Sequence, residues 1–160
     1  MKKNDLNDEA VAKLHEETKG SLYKITKSFN NFPMRWGLSF NAFILLDYLY
    51  AHNDHAESAE AADELTIPRQ TMTALLDSFE KKGILARFPH PKDRRRKVIR
   101  LTKEGYAKVH RLKRENLATE MAALKQMGEK DIRKLFELTL KYTKCLEQAA
   151  EAYDGPVTMF

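Results

Sequence analysis

Apolar residues recur at helical spacing along the first part of the chain. Between Asn7 and about Asn31 they fall three or four positions apart, with one polar turn near Thr18. This spacing places them on one stripe of a helix. The sequence therefore predicts a long first helix, and we expect Pro33 and Gly37 to end it because proline and glycine interrupt helices.

The following segment is apolar on most sides, which predicts a central helix from Phe40 to about Ala51 with Ser39 as its N-cap. A short acidic, alanine-rich helix is predicted over Glu57 to Leu65. After it, Pro68 suits the first position of a further helix that runs to Lys82, because a helix start has no use for the N–H that proline lacks. Two helices joined by a short turn are typical of a helix-turn-helix.

The pattern then changes from helical to alternating. The runs Ile84 to Phe88 and Lys97 to Leu101 flank a turn that contains Pro89 and Pro91. Alternating runs around a proline-bearing turn predict a β-hairpin. The hairpin follows the helix-turn-helix directly, so we interpret it as a wing.

Two more helices are predicted at the end of the chain, from Thr102 as N-cap to about Lys125 and from Asp131 to about Tyr153. Valine and isoleucine are scarce whereas Ala, Leu, Glu and Lys are plentiful, so helices should dominate. The expected fold class is mostly α with a small β-hairpin wing. We expect one domain over 1–160, with a winged helix-turn-helix core (38–102) flanked by dimerisation helices (1–37 and 103–160), since the long apolar stripes need a second copy to cover them.

Charge is distributed unevenly along the chain. The formal net charge is +5, but the segment from Ile84 to Arg114 holds twelve cationic and two acidic side chains, which gives +10 and leaves −5 for the remainder. A concentration of positive charge beside a helix-turn-helix favours a polyanionic partner. The expected partner is double-stranded DNA.

The predicted recognition helix begins with side chains that can read base edges. Arginine can bind guanine, glutamine can bind adenine, and threonine can contact a phosphate or a thymine methyl group. The candidate residues of this helix are Pro68, Arg69, Gln70, Thr71 and Thr73. The candidate residues of the wing are Lys92, Asp93, Arg94, Arg95, Arg96 and Lys97. A solvated helix start in a protein-binding adaptor that does not bind DNA is the alternative.

The stretch from Ala62 to Gly105 reads ADELTIPRQTMTALLDSFEKKGILARFPHPKDRRRKVIRLTKEG. It resembles the winged helix-turn-helix of the multiple-antibiotic-resistance regulator (MarR) family. The resemblance lies in the Thr-x-Thr helix start, the Asp77 to Gly83 helix end, the Asp-x-Arg wing at Asp93 and Arg95, and the Leu-Thr-x-x-Gly closure that ends at Gly105. It departs from the family at Ala74, where many relatives have arginine, and at Pro68, where serine is usual.

This resemblance implies a homodimeric transcriptional regulator, expected to be a repressor of a pseudo-palindromic operator that a small molecule or an oxidant releases. Arg95 would enter the minor groove with Asp93 orienting it, and Lys92, Arg94 and Arg96 would bind phosphates. An aromatic effector would occupy a crevice between the first, second and fifth helices. The candidate crevice residues are Tyr23, Trp36, Tyr48 and His110, although aromatic residues at such positions are more often part of a core.

Other chemistry has weaker support in the sequence. His52, Asp54, His55 and Glu57 could bind a metal, but a polar link between helices explains them better, and no metal or other cofactor is predicted. Cys145 lies late in the last helix, where a structural role is favoured over a redox role. No catalytic motif appears, so we do not expect an enzyme. The chain has no apolar segment of membrane-spanning length and starts without a signal-peptide stretch, so we expect a cytoplasmic protein without a membrane partner.

Overall fold

The structure is a computed structural model that describes residues 7–53, 56–93, 96–153 and 155. Its helices are α1 (Asp8–Arg35), α2 (Phe40–Ala51), α3 (Ser58–Glu64), α4 (Arg69–Lys81), α5 (Lys103–Met127) and α6 (Glu129–Glu151). Its strands are β1 (Ala56–Glu57), β2 (Leu85–Pro89) and β3 (Lys97–Leu101). The predicted fold class, mostly α with a small winged hairpin, is confirmed.

The chain divides into two compact units, residues 1–113 and 114–160. The hydrophobic core of the first unit is built around α2, whose apolar side chains meet those of α3, α4, the sheet and the start of α5. Its most completely buried large side chains are Leu45, Leu49, Met72, Leu76, Leu85, Ile99 and Val109. A helix that is apolar on most sides must be enclosed, so the central position predicted for α2 follows from its composition.

The sheet has three strands in the order β1-β3-β2, and both pairings are antiparallel. In the β2–β3 hairpin, Leu85 pairs with Leu101 and Pro89 pairs with Lys97. The helix predicted to start at Glu57 is wrong at that residue, because Ala56 and Glu57 form β1 and pair with Ile99 and Val98. A two-residue strand has no alternating pattern, so its pairing with a distant partner decides its conformation.

Helix α1 continues through Pro33 to Arg35, with Trp36 as its C-cap and Gly37 just beyond, so the expectation that Pro33 helps to end it was wrong. Proline removes one hydrogen bond from the last turn, but it does not stop the chain from completing that turn. Gly37 has φ +68°, and the N–H groups of Gly37 and Leu38 bond back to the carbonyls of Met34 and Pro33. A left-handed glycine with such bonds is a regular helix terminator.

The start of α5 is fixed against the end of α4. The Thr102 hydroxyl accepts a hydrogen bond from the Gly105 amide at 2.9 Å and donates one to the Gly83 carbonyl at 2.7 Å. Gly105 lies so close to Ile84 that a Cβ placed there would be 1.8 Å from the Ile84 carbonyl oxygen. The Leu-Thr-x-x-Gly segment therefore joins helix capping with a close packing contact.

In the second unit, none of the residues of α6 is buried. Large apolar side chains are exposed along it, namely Leu135, Phe136, Leu138, Leu140, Tyr142 and Leu146. Within the described residues, no helix combines the length and the apolar character needed to cross a membrane.

Candidate nucleic-acid interface

Helix α4 presents its first turn to solvent because its apolar residues face the core. Met72, Leu76 and Phe79 are buried, as is Ile67 just before the helix. The predicted contact residues lie on the other side: Pro68, Arg69, Gln70 and Thr73 are exposed, and Thr71 is partly buried. The helix thus offers the face that the sequence analysis assigned to base reading.

Two of these residues already have partners within the chain. Arg69 donates two hydrogen bonds to the Asp63 carboxylate, at 2.7 and 2.8 Å, and its side chain remains 57% exposed. The Thr73 hydroxyl donates to the Arg69 carbonyl at 3.0 Å. Pro68 precedes the helix as its N-cap and supplies no capping hydrogen bond. Arg69 is therefore held through one terminal guanidinium nitrogen by a carboxylate that solvent can reach.

Arg87 of β2 connects α4 to the hairpin. Its guanidinium lies 2.6 Å from the Asp77 carboxylate and 3.0 Å from the Glu80 carboxylate, and its own amide also donates to Glu80. The Arg87 side chain is only 25% exposed, so its pairs are better shielded from water than pairs at the open surface. This clamp fixes the recognition helix relative to the wing.

The wing carries two exposed lysines, Lys92 and Lys97. Asp93 uses its backbone to shape the turn: its amide donates to the His90 ring and its carbonyl accepts from the Arg96 amide. The predicted contact residues Arg94 and Arg95 lie outside the described residues. Their roles remain predictions from the sequence.

Arg96 has a different position from the one expected for a phosphate ligand. Its Nε lies 2.5 Å from a Glu57 oxygen, and its terminal nitrogen lies 3.4 Å from Glu60. Both carboxylates belong to the β1–α3 segment, so Arg96 joins the wing to the body of the domain. The Arg96 guanidinium, which was predicted to bind a DNA phosphate, is therefore paired with two carboxylates in the structure.

Sequence reasoning missed His90 and the role of Glu57. The His90 ring accepts hydrogen bonds from the amides of Lys92 and Asp93, and its other nitrogen lies 3.7 Å from the Glu57 carboxylate. The placement of His90 between two prolines, at the start of a turn, was the one available signal in the sequence.

The four residues of the predicted effector crevice have separate surroundings. Tyr23 is 72% exposed, and about 20 Å of helix separates it from Trp36 at 1.5 Å per residue. Tyr48 stacks on the His52 ring, and burial, followed by the charge of nearby Glu64, raises the pKa of its hydroxyl. His110 accepts or donates a hydrogen bond with the Tyr50 hydroxyl at 2.8 Å. These contacts do not join the four residues to one another, and the crevice stays a prediction from the sequence.

Of the four predicted crevice residues, only Trp36 lines a cavity of about 430 Å³. Leu46, Phe79, Ile84 and Leu112 contribute apolar walls, and three cationic residues also line it, namely Lys82, Lys108 and Arg111. The Arg111 guanidinium lies 5.5 Å from the centre of the Trp36 ring. An apolar cavity with cations at its border suits a ligand with an apolar body and a negatively charged group, here called an apolar anion.

The residues considered for metal binding have other contacts. His52 bonds to the Tyr48 carbonyl at 3.0 Å, and Glu57 pairs with Arg96, while Asp54 and His55 lie outside the described residues. Cys145 is a free, exposed cysteine on α6.

Comparison with known proteins shows what this part of the chain is similar to. Residues 36–96 match the model of the MarR family, and that range contains α4, β2 and most of the wing. The chain is 34% identical over 94 residues to the HTH-type transcriptional repressor YetL of Bacillus subtilis, a match that covers 56% of each protein. The chain thus spans about half the length of the curated relatives it matches.

Solved structures show the same fold over more of the chain. The regulator NMB1585 from Neisseria meningitidis aligns with 85% of this chain and 95% of its own, with a TM-score of 0.70 and 18% identity. The MepR–DNA complex of Staphylococcus aureus aligns with 82% of this chain and 96% of its own, with a TM-score of 0.67 and 21% identity. The proteins that this chain resembles are transcriptional regulators and not enzymes.

Proposed function

We propose that the chain is a MarR-family transcriptional regulator whose winged helix-turn-helix binds DNA, and that it acts as a homodimer on a pseudo-palindromic operator. The observation that carries this proposal is the exposed first turn of α4, which Arg87 holds beside a cationic hairpin in the same unit. Such an arrangement allows a helix to enter the major groove while the wing follows the backbone or the minor groove.

Base reading is proposed for Arg69, Gln70 and Thr73. Gln70 is exposed and suits the bidentate pattern of adenine. Arg69 would leave the Asp63 carboxylate, which it contacts through one guanidinium nitrogen, and bind guanine through two nitrogens instead. Because Asp63 is 73% exposed, water can solvate its carboxylate when Arg69 leaves. Thr71 and Pro68 would contribute contacts to the backbone at the helix start.

The wing would supply the electrostatic part of the affinity. Lys92 and Lys97 are exposed cations suited to phosphate contacts. For Arg94 and Arg95 the proposal rests on the sequence, with Arg95 in the minor groove, where a narrow groove attracts arginine. Asp93 would help to orient Arg95.

Homodimer formation is proposed because two helices carry uncovered apolar stripes. On α1 the exposed apolar residues include Val11, Leu14, Leu22, Ile25 and Phe29, and α6 has no buried residue. Water-exposed stripes of this length are unfavourable, and a second copy can cover them. Two recognition helices would then lie about one turn of DNA apart, on the order of 34 Å.

Release of the operator is proposed to follow binding of an apolar anion in the Trp36 cavity. Lys82 at the end of α4 and Arg111 on α5 both line this cavity. A ligand held between Lys82 and Arg111 would change the orientation of α4. In a dimer this would change the distance between the two copies of α4. Repression of transcription is the proposed outcome of operator binding, since the relative YetL is named a transcriptional repressor.

A selection experiment tests the proposal directly. The full-length chain is incubated with a randomised pool of DNA duplexes, and the enriched duplex is titrated by fluorescence anisotropy across a salt series. We expect two half-sites one turn apart, and log K should fall steeply with log salt because phosphate contacts release counterions. Gln70→Ala should relax preference at one position in each half-site by about 1–3 kcal/mol, whereas Lys144→Gln on α6 should not.

The alternative from another class is an adaptor whose basic wing binds an acidic protein. It predicts no enrichment of any sequence from the pool and equal binding of all duplexes. Binding that does not depend on salt would also contradict the proposed mechanism.

A further inference from the structure

Glu57 is the one charged side chain that is buried among the described residues. It lies in β1, where its backbone pairs with Val98 of β3. Removing a carboxylate from water is costly unless cations and hydrogen bonds compensate it. The side chains around Glu57 must therefore compensate this cost.

Both partners belong to the wing, one on each side of its tip. Arg96 lies at the end of the turn and pairs with one Glu57 oxygen at 2.5 Å, and His90 lies at its beginning, 3.7 Å from the other oxygen. The backbone joins the same two positions, because the His90 amide donates to the Arg96 carbonyl at 3.1 Å. One carboxylate thus contacts both ends of the turn that carries the basic cluster.

His90 extends this contact into the turn itself. Its Nδ1 accepts hydrogen bonds from the amides of Lys92 and Asp93 at 3.2 and 3.1 Å. A ring nitrogen that accepts carries no proton, so the N–H of the ring is at Nε2, on the side of Glu57. The imidazole therefore bonds to the backbone of the tip through Nδ1, and its Nε2 faces the Glu57 carboxylate at 3.7 Å, which is longer than a hydrogen bond.

We propose that Glu57 is a positioning residue that sets the pose of the wing tip on DNA through Arg96 and His90, and that Arg96 acts as a strut and not as a phosphate ligand. The inference rests on the proposed function, since the pose has meaning only on a duplex. Glu57 itself lies behind the wing and touches no DNA.

The sign of the expected effect separates positioning from plain electrostatics. Loss of a carboxylate raises the net charge beside the phosphates, which by itself strengthens binding to any duplex. Loss of the correct pose weakens binding to the selected duplex alone. The decisive quantity is therefore the ratio of the affinity for the selected duplex to that for a mixed-sequence duplex of equal length.

The experiment compares Glu57→Gln with Glu60→Gln in the full-length chain. Both variants remove one negative charge near Arg96, but Glu60 is 55% exposed and its contact with Arg96 is longer, at 3.4 Å. We expect Glu57→Gln to lower the affinity ratio about tenfold, equivalent to about 1.4 kcal/mol, which is the size of one base contact. Glu60→Gln should change it less than about threefold, since exposed pairs contribute little.

A second readout follows the wing without DNA. Glu57→Gln should shift the amide resonances of Lys92 and Asp93 and the ring nitrogens of His90 in NMR spectra, whereas Glu60→Gln should leave them in place. Equal affinity ratios for the two variants, or an equal strengthening of binding to both duplexes by Glu57→Gln, would overturn the positioning role.

Arg96 provides the independent test if Glu57→Gln does not fold. A phosphate ligand tolerates lysine, so Arg96→Lys would keep both the affinity ratio and the salt slope, and Arg96→Gln would reduce the slope by about 1 per half-site. A strut that contacts two carboxylates needs the planar fork, so both variants should lower the affinity ratio while the slope stays near that of the wild type. Lys92→Gln is the matched control, and it should reduce the slope.

The two proposals fail in different ways. Failure of the wild-type chain to enrich any duplex would overturn the proposed function. Intact selection by the wild type, together with a full salt-slope loss in Arg96→Gln and rescue by Arg96→Lys, would overturn the strut alone.

Discussion

Helices α2 and α6 are both rich in apolar residues, yet the chain uses them in opposite ways. In α2, Leu45 and Leu49 are completely buried, whereas in α6 Leu140 is 72% exposed and no residue is buried. A buried leucine contributes roughly 1.5–3 kcal/mol relative to an exposed one. The apolar surface of α2 has therefore already stabilised the single chain, and that of α6 remains available for association.

The largest expected effect tests the buried side of this comparison. Leu49→Ala should lower the free energy of unfolding by about 2–5 kcal/mol, because it leaves a cavity in a closed core. Chemical denaturation measures the change. The matched variant Leu140→Ala should cost less than about 0.5 kcal/mol at protein concentrations where the chain is monomeric. Similar losses for the two would contradict the contrast between the helices.

A glycine pair extends the comparison to packed and open helices. Gly105→Ala should destabilise the chain by about 2–3 kcal/mol, since the added methyl group would meet the Ile84 carbonyl. Nothing lies within 4 Å of a Cβ added at Gly20 in the middle of α1. Gly20→Ala should therefore stabilise the helix by up to about 1 kcal/mol. Thermal melts of both variants decide the matter, and a loss at both positions would show that α1 is enclosed.

The exposed side of the comparison predicts an effect on association. Leu140→Lys should raise the dissociation constant of the homodimer at least about tenfold, or about 1.4 kcal/mol, because a charge would enter an apolar contact. Sedimentation velocity over a concentration series measures it. Lys141→Ala, on the adjacent position of α6, serves as the control. An unchanged dimer in Leu140→Lys would remove α6 from the proposed interface.

The smallest expected effect concerns two helix caps. Ser39 caps α2 by accepting from the Ala42 amide at 3.2 Å, and Asn7 caps α1 by accepting from the Ala10 amide at 2.8 Å. Ser39→Ala should cost about 1 kcal/mol of global stability. Asn7→Ala should instead increase local fraying, visible as faster amide exchange in the first turn of α1 with an unchanged midpoint of unfolding.

Local signals in the sequence predicted much of the fold. The bounds of α2 follow from an apolar run behind a serine cap, and Gly37 and Gly83 end their helices because both adopt φ +68°. The hairpin follows from alternation around two prolines. Each of these features depends on residues within a few positions of one another, so a single sequence contains the necessary information.

Partners far apart in the chain were beyond such reasoning. Glu57 and Arg96 are 39 positions apart, and nothing local connects them. The residues of the expected crevice are all aromatic, but they have different partners. Tyr48 stacks on His52, His110 bonds to Tyr50, and Trp36 lies under the Arg111 guanidinium. The candidate contacts of α4 were placed on the exposed face by periodicity, whereas the pairing of Arg69 with Asp63 was visible only in the structure.

The sequence by itself determined which helices form, where the glycines end them, and that the basic residues concentrate on one hairpin. Only the tertiary structure decided which of those basic residues form ion pairs with carboxylates of the same chain. Helices and turns depend on short-range dihedral preferences and hydrogen bonds, whereas an ion pair depends on where separate elements meet. For this reason Arg96 and Lys92 look alike in the sequence, yet one is bound to two carboxylates and the other is exposed at the wing.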